Sequence, residues 1–87
     1  LTLELALPDK EERRAIFEIH TKHQTLGSDV NLEDFAERSE GLSGAEIEAL
    51  CHMAGMNAIR ETEDENSEAL MLEKKHFDEA WTNFSAH

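Results

Sequence analysis

Hydrophobic residues recur along most of this 87-residue chain at the three- and four-residue spacing of an amphipathic α-helix. The first predicted helix covers about residues 10–25. Asp9 and Glu12 form a D-x-x-E capping box at its start, and Gly27 is its expected end. One stripe of side chains should run along this helix, formed by Ile16, Ile19, His20, His23 and Leu26.

Two further helices are predicted in the middle of the chain. A short helix runs from its cap Asn31 to about residue 39, with Gly41 as the C′ residue just after its C-cap. A longer helix starts at Ser43, in a second capping box with Glu46, and runs to about residue 61. Its apolar positions follow the helical period and should form its buried face: Ile47, Leu50, Cys51, Ala54 and Ala58.

Gly55 lies inside this third helix, where glycine costs roughly 1 kcal/mol relative to alanine. We expect it to permit close packing of another helix. Residues 62–69 are predicted to form a polar, acidic loop, and residues 70–72 a brief extended piece. A fourth helix over about residues 73–84 follows from the spacing of Phe77, Ala80, Trp81 and Phe84.

The N-terminal residues follow a different period. Leucines at positions 1, 3, 5 and 7 alternate with other residues, which predicts a short extended segment that Pro8 ends. Four helices with short connections and no internal repeat predict an all-α fold, a four-helix unit in one small domain preceded by this extended segment.

Charge limits the range of functions. The chain has 20 Asp+Glu and 8 Lys+Arg, a net charge of −12, which opposes binding to nucleic acid and to anionic membrane surfaces. The acids concentrate in residues 29–48 and 61–73, whereas half of the bases lie in residues 10–22. Solubility and adaptation to a high-salt cytoplasm are both open as explanations. We expect neither a membrane span nor a secretory leader, because no suitable apolar run is present.

The chain shows no motif of a self-contained active site. It has no G-x-x-x-x-G-K-[ST] loop and no G-x-S-x-G elbow, so we expect no catalytic residue in it. The single cysteine, Cys51, excludes an internal disulfide framework and is expected to be a core thiol. The pairs His20/His23 and Cys51/His52 match no zinc spacing, and residues 61–68 lack the glycine of an EF-hand loop. We therefore expect no metal site.

Three sequence blocks occur in a fixed order: residues 7–22 (LPDKEERRAIFEIHTK), residues 41–61 (GLSGAEI to AGMNAIRE) and residues 76–80 (HFDEA). Their order and spacing resemble the small C-terminal lid subdomain of classical AAA ATPases, over nearly all of residues 5–84. The AGMNAIRE run most resembles the archaeal proteasome-activating nucleotidases and the eukaryotic proteasomal ATPases. The cell-division-control (valosin-containing) unfoldases are next.

The resemblance implies residues 1–8 as an interdomain connector, residues 9–84 as the helical lid and residues 85–87 as a tail. It also implies a cytoplasmic parent protein, a homo- or hetero-hexameric ring that hydrolyses ATP to unfold protein substrates. The lid's partners would be its own P-loop large domain, neighbouring subunits and, in the proteasomal branch, the 20S proteasome. Mg²⁺ would be held by the large domain. The chain has no tyrosine, and so lacks the hydrophobic-tyrosine tail by which many proteasomal ATPases dock.

The resemblance also assigns binding residues for ATP or ADP. Ile16 and His20 match the lid positions that touch adenine and ribose, and a spacing of four places both on one helical face. Gly44 and Ala45 match the second-sensor segment, where a missing Cβ lets a ring approach the backbone. The plainer alternatives are a core isoleucine, a hydrogen-bonded core histidine and a helix cap that needs a small residue.

Two further expectations concern charge at this site. The positions after Gly44 are Ala45 and Glu46, so the segment offers no arginine to the phosphates, and Glu46 is expected to cap Ser43. Arg13 is expected to be a structural or interdomain ion-pair partner.

Two other functions stay open at this point. One is an independent acidic helical adaptor that presents a groove to partner helices. The other is the lid of a cell-division-control type AAA ATPase. A phosphate-binding loop encoded upstream of Leu1 would favour a lid over the adaptor.

Overall fold

The computed structural model describes residues 7–62 and 71–85. These residues form four helices: α1 (Lys10–His20), α2 (Leu32–Arg38), α3 (Gly44–Thr62) and α4 (Lys74–Ser85). Two short strands, β1 (Thr25–Leu26) and β2 (Met71–Leu72), pair in parallel with Leu26 opposite Leu72. The mostly helical architecture confirms the all-α prediction. Residues 1–6 of the predicted extended segment and most of the acidic loop lie outside the described residues.

The predicted helix starts are confirmed by their capping contacts. The Glu12 N–H donates to Asp9 Oδ1 at 2.8 Å, and the Asp9 N–H donates to Glu12 Oε1 at 2.8 Å. Asn31 Oδ1 accepts from the Glu33 N–H at 2.9 Å. Glu46 accepts from the Ser43 N–H at 2.8 Å and its own N–H donates to Ser43 Oγ at 3.2 Å. Each cap satisfies backbone donors that the helix itself leaves without acceptors.

The predicted end of the first helix was wrong. Helix α1 stops at His20 because Thr21 caps it: the Thr21 hydroxyl donates to Phe17 O at 2.7 Å, and its N–H donates to the same oxygen at 3.0 Å. The chain then turns and pairs as β1 with β2, where the sequence had predicted helix. The Gly27 N–H donates to Leu72 O at 2.8 Å, so Gly27 continues the pairing instead of ending a helix.

The buried face of α1 also differs from the predicted stripe. Ile19 is 66% exposed, whereas Phe17 and Arg13 are buried and Ile16 is half-buried against the core. The predicted stripe left out Arg13 and Phe17, which are four positions apart and lie on the buried face of the helix.

The core is built around four aromatic rings from three helices. Phe35 of α2 lies 4.7 Å from Phe77 and 5.3 Å from Trp81 of α4, and 5.7 Å from Phe17 of α1, measured between ring centroids. All five apolar positions predicted for α3 are buried, and so are Phe77, Ala80 and Trp81 of α4. The aromatic cluster joins α1, α2 and α4 into one packed unit.

Two glycines behave differently from expectation. A Cβ built on Gly55 would meet no atom within 4 Å among the described residues, so the predicted close helix packing there was wrong. Gly41 has φ +90°, a left-handed backbone that glycine adopts easily. It lies two positions after the C-cap Ser39, not directly after it, because the Leu42 N–H closes a turn onto Ser39 O at 3.0 Å.

Candidate functional site

The structure places Ile16 of α1 against Gly44, the first residue of α3. A Cβ built on Gly44 would lie 3.6 Å from Ile16 Cδ1, which is ordinary van der Waals contact. The backbone of Gly44 does not have a positive φ. Neither steric crowding by the described residues nor backbone conformation therefore requires glycine at this position. Among the described residues, and outside the neighbouring helix backbone, Ile16 Cδ1 is the only atom that such a Cβ would meet within 4 Å. The space that a side chain would fill at Gly44 (the recess) is therefore bordered by Ile16, and both residues are half-buried.

His20 lies one turn after Ile16 and opens into a groove between α1 and α3. The groove has a volume of about 300 Å³, and its α3 wall includes Glu48, Cys51, Gly55 and Met56. Within residues 7–62 and 71–85 the half-buried His20 ring has no hydrogen bond or ion pair. Both ring nitrogens are thus available to a ligand, unlike those of a hydrogen-bonded core histidine.

The four residues singled out from the sequence do not all share one surface. Ile16 and Gly44 are in contact range, and His20 borders the adjoining groove. Ala45 is exposed and does not line that groove. Gln24, His52 and Ile59 also line the groove, and the sequence analysis did not assign them to the site. For Ile59 the sequence contained a signal: Cys51, Gly55 and Ile59 are spaced by four residues, which places them on one face of α3.

The charges around the recess match the sequence prediction. Glu46 accepts from the Ser43 N–H, so its carboxylate is used in capping, as expected. The segment 43–46 carries no cationic side chain for phosphate groups. Phosphates would need donors from outside this segment.

Cys51 lines the groove and is also a buried residue of the core. Its side chain is buried, and this burial, together with the nearby Glu48 carboxylate, raises the pKa of the thiol to about 12. The thiol therefore stays protonated at neutral pH. This protonated form is neither a nucleophile nor a metal ligand.

A second polar cluster, which the sequence analysis missed, lies where α3 ends and α4 begins. Single ligand atoms of Glu61, Glu73 and His76 lie within 4.8 Å of one another. His76 Nδ1 accepts from the Glu73 N–H at 2.9 Å, and its Nε2 lies 3.2 Å from Glu61 Oε1. Since Nδ1 is an acceptor, the neutral ring has its proton on Nε2 and donates it to Glu61.

This second cluster is fully paired within the chain. Lys75 Nζ lies 2.9 Å from Glu61 Oε2, and Asn57 Nδ2 donates to His76 O at 3.1 Å. Lys75 first, and then His76, holds the pKa of Glu61 below its usual value. Lys75 already supplies the positive charge and both ring nitrogens are in use, so the geometry is that of a structural link between two helices. The sequence did contain a signal for this contact. Glu73 immediately precedes α4, and His76 lies three residues after Glu73, at the position that the acid occupies in a capping box.

Four packed helices with a groove between the first and third define a small helical module. Comparison with known proteins assigns the family. Residues 29–79 match the family model of the AAA+ lid domain. The chain belongs to the AAA+ lid domain family.

Related proteins come from both branches named above. The chain is 51% identical over 82 residues to a cell division cycle protein 48 homolog of Archaeoglobus fulgidus, covering 84% of this chain and 11% of that protein. It is 50% identical over 62 residues to a proteasome-activating nucleotidase of Methanocaldococcus jannaschii, covering 71% of this chain and 14% of that protein. It is 51% identical over 59 residues to a probable 26S proteasome regulatory subunit 4 of Caenorhabditis elegans, covering 68% of this chain and 13% of that protein.

These relatives are much longer than this chain. The chain spans between 9% and 20% of the length of the curated relatives it matches. Relatives of the two branches have nearly equal identity to it, so they do not separate the proteasomal from the cell-division-control type. In the part of the chain that the structure describes, none of the helices combines the length and the hydrophobicity of a transmembrane span.

Proposed function

We propose that this chain is the lid of an ATP-hydrolysing AAA unfoldase and that it closes over the adenine side of the nucleotide. The observation that carries the proposal is the recess at Gly44 beside Ile16, near the His20 ring, which has no partner within residues 7–62 and 71–85. A planar base and a ribose need an apolar wall, a close backbone approach and a polar group, and this edge offers all three.

Each residue has a separate role in this proposal. The Ile16 side chain packs against one face of the base. The absent Cβ of Gly44 lets the ring approach the start of α3, and the exposed Ala45 borders that approach. The His20 ring donates to or accepts from the ribose or the base edge. The Ile16 and His20 side chains project from the same face of α1 because they are four residues apart.

The phosphates and Mg²⁺ belong to the other half of the site. The carboxylate of Glu46 is engaged with Ser43, and segment 43–46 has no cation, so this chain binds the nucleoside and leaves phosphate chemistry elsewhere. We assign ATP hydrolysis to a P-loop large domain of the parent protein, joined through residues 1–8. The isolated lid then binds nucleotide weakly, because most of the pocket is in the other domain.

We propose that the lid moves as one rigid unit, and that this movement transmits the nucleotide state to neighbouring subunits. The aromatic core joins α1 to α2 and α4, so a force on Ile16 and His20 moves the helices together. Leu7 is 55% exposed, and Ile19 is exposed on the same helix as Ile16. These apolar side chains are candidates for contact with a neighbouring subunit of a homo- or hetero-hexamer.

The relatives' names suggest what the ring acts on. A proteasome-activating nucleotidase and a 26S proteasome regulatory subunit are among them, as is a cell division cycle protein 48 homolog. We propose protein substrates in both cases, with the 20S proteasome as a partner if the parent is of the proteasomal type. We place the parent in the cytoplasm.

Substitution of His20 in the full-length protein tests the proposed contact. His20→Ala should weaken nucleotide affinity by about 1–2 kcal/mol, the scale of one lost polar contact with some packing. Stability should barely change, because the ring has no partner in the described chain. His23→Ala, in the exposed turn after α1, is the matched control and should bind normally. Wild-type affinity of His20→Ala in a fluorescent-nucleotide titration would contradict the proposal.

A further inference from the structure

Among the residues that the structure describes, Arg13 is the only lysine or arginine that is buried, with 7% of its surface exposed. Its Nη1 donates to Pro8 O at 3.0 Å, in the segment that leads into α1. Its Nε donates to Ala36 O at 2.8 Å and to Ser39 Oγ at 3.2 Å, at the end of α2. One side chain thus joins the incoming chain to the neighbouring helix.

All three acceptors are neutral. Within residues 7–62 and 71–85, the guanidinium has no carboxylate partner. Of the two expectations for Arg13, these bonds support the structural role, and no ion pair of Arg13 is present among the described residues. The last turn of α2 has carbonyl groups with partial negative charge, which favours a cation. A buried guanidinium is costly unless its donors are used, and here its planar fork reaches acceptors on both sides.

Pro8 depends on Arg13 in a specific way. Proline has no N–H, so this residue can be held by backbone hydrogen bonding only through its carbonyl. The capping box formed by Asp9 and Glu12 begins one residue later. The bond from Arg13 therefore extends the fixed part of the chain back to Pro8, and Leu7 beyond it is exposed.

The same helix carries the proposed nucleoside contacts. Ile16 follows Arg13 by three residues and His20 by seven, within the next two turns. We propose that Arg13 is a positioning residue, which clamps the incoming chain at Pro8 against the end of α2 and sets the angle at which the preceding domain joins the helix that carries Ile16 and His20. The inference rests on the proposed function in one respect, that a nucleotide-binding domain precedes this chain.

The test follows this angle in the full-length protein through the distance between the two domains. One spectroscopic label is placed at the exposed Asn83 of α4 and the other in the preceding domain, and the distribution of distances is recorded without nucleotide. Arg13→Met removes all three bonds and should broaden the distribution. It should also lower kcat about tenfold with KM changed less than about twofold, because alignment and not nucleotide binding is lost.

Ser39→Ala is the matched control. It removes one of the two α2 acceptors and leaves the bond to Pro8, so its distance distribution and its kcat should remain those of the wild type. A wild-type distribution in Arg13→Met would overturn the proposal. Equal broadening in Ser39→Ala would overturn it too, because the effect would then reflect general loosening of α1 against α2.

Arg13→Lys covers the case in which Arg13→Met does not fold. A single ammonium cannot reach acceptors on both sides as the guanidinium does, so this variant should also give a broad distribution. A narrow distribution in Arg13→Lys would refute the clamp. The measurement without nucleotide does not involve Ile16 or His20. Normal affinity in His20→Ala together with a broad distribution in Arg13→Met would reject the nucleoside site and keep the clamp.

Discussion

The two ends of α3 carry polar groups of opposite character. At its start, the recess of Gly44 and the nearby His20 ring leave space and hydrogen-bonding groups without partners in the described chain. At its end, both nitrogens of His76 are in use and Glu61 is paired with Lys75. A site for an external ligand must keep its groups available, whereas a link between helices must satisfy them.

The difference separates two histidines that look alike in the sequence. His76 is 4% exposed and joins α3 to α4, whereas His20 is half-buried and joins nothing in the described residues. Stability and ligand affinity should therefore respond to different substitutions.

The largest effect on stability is expected at His76. His76→Ala leaves the Glu73 N–H without its acceptor and opens a small cavity, so the free energy of unfolding should fall by about 2–3 kcal/mol. Urea denaturation of this chain measures it. Glu79→Ala, exposed on the same helix, should change stability by less than about 0.5 kcal/mol. Equal losses for both variants would mean that the cluster is not a structural link.

The next largest effect is expected on nucleotide affinity when Gly44 is substituted. In the full-length protein, Gly44→Ala should weaken nucleotide binding about tenfold, because its methyl group fills the recess beside Ile16. The same change should raise the free energy of unfolding by about 0.5 kcal/mol, since alanine is compatible with the helical backbone there. Unchanged affinity would place the base away from the start of α3.

Gly55→Ala is the counterpart on the same helix. A Cβ there would meet no atom of the described residues within 4 Å, so alanine should stabilise α3 by about 0.5–1 kcal/mol through helix propensity. Nucleotide affinity of the full-length protein should be unchanged. Loss of affinity as large as that in Gly44→Ala would move the ligand deeper into the groove, towards Met56.

The smallest effect is a pH dependence at α4. Arg38 first, and then Lys74, holds the pKa of Asp78 below its usual value. A lowered pKa in the folded state adds stability above the unfolded-state pKa, and this contribution is lost as pH falls through the folded value. Asp78→Asn should therefore remove a contribution of about 0.5 kcal/mol at neutral pH and flatten the acid limb of a stability–pH curve. An unchanged acid limb would show that the pair contributes nothing.

Local chemistry could be read from the sequence, and tertiary contacts could not. The caps at Asp9, Asn31 and Ser43 were predicted because each depends on residues two or three positions away. The end of α1 was missed because Thr21 and the pairing of β1 with β2 decide it, and that pairing joins residues far apart in the chain.

The site divides in the same way. Ile16, His20, Gly44 and Ala45 came from the resemblance to AAA lids, and spacing alone did not bring the start of α3 to α1. The neutral acceptors of Arg13 were not predicted because they belong to α2 and its C-cap, 23 and 26 positions away. The His76 cluster was missed because His76 and Glu61 lie on two helices, α4 and α3, and are 15 positions apart in the chain.

The most direct test of the central claim is a structure of the full-length subunit with ADP bound. The account predicts the purine ring in van der Waals contact with Ile16 and with the backbone at Gly44, and a nucleotide atom within hydrogen-bond distance of the His20 ring. A purine bound elsewhere, with Ile16 and Gly44 closed against each other, would contradict it.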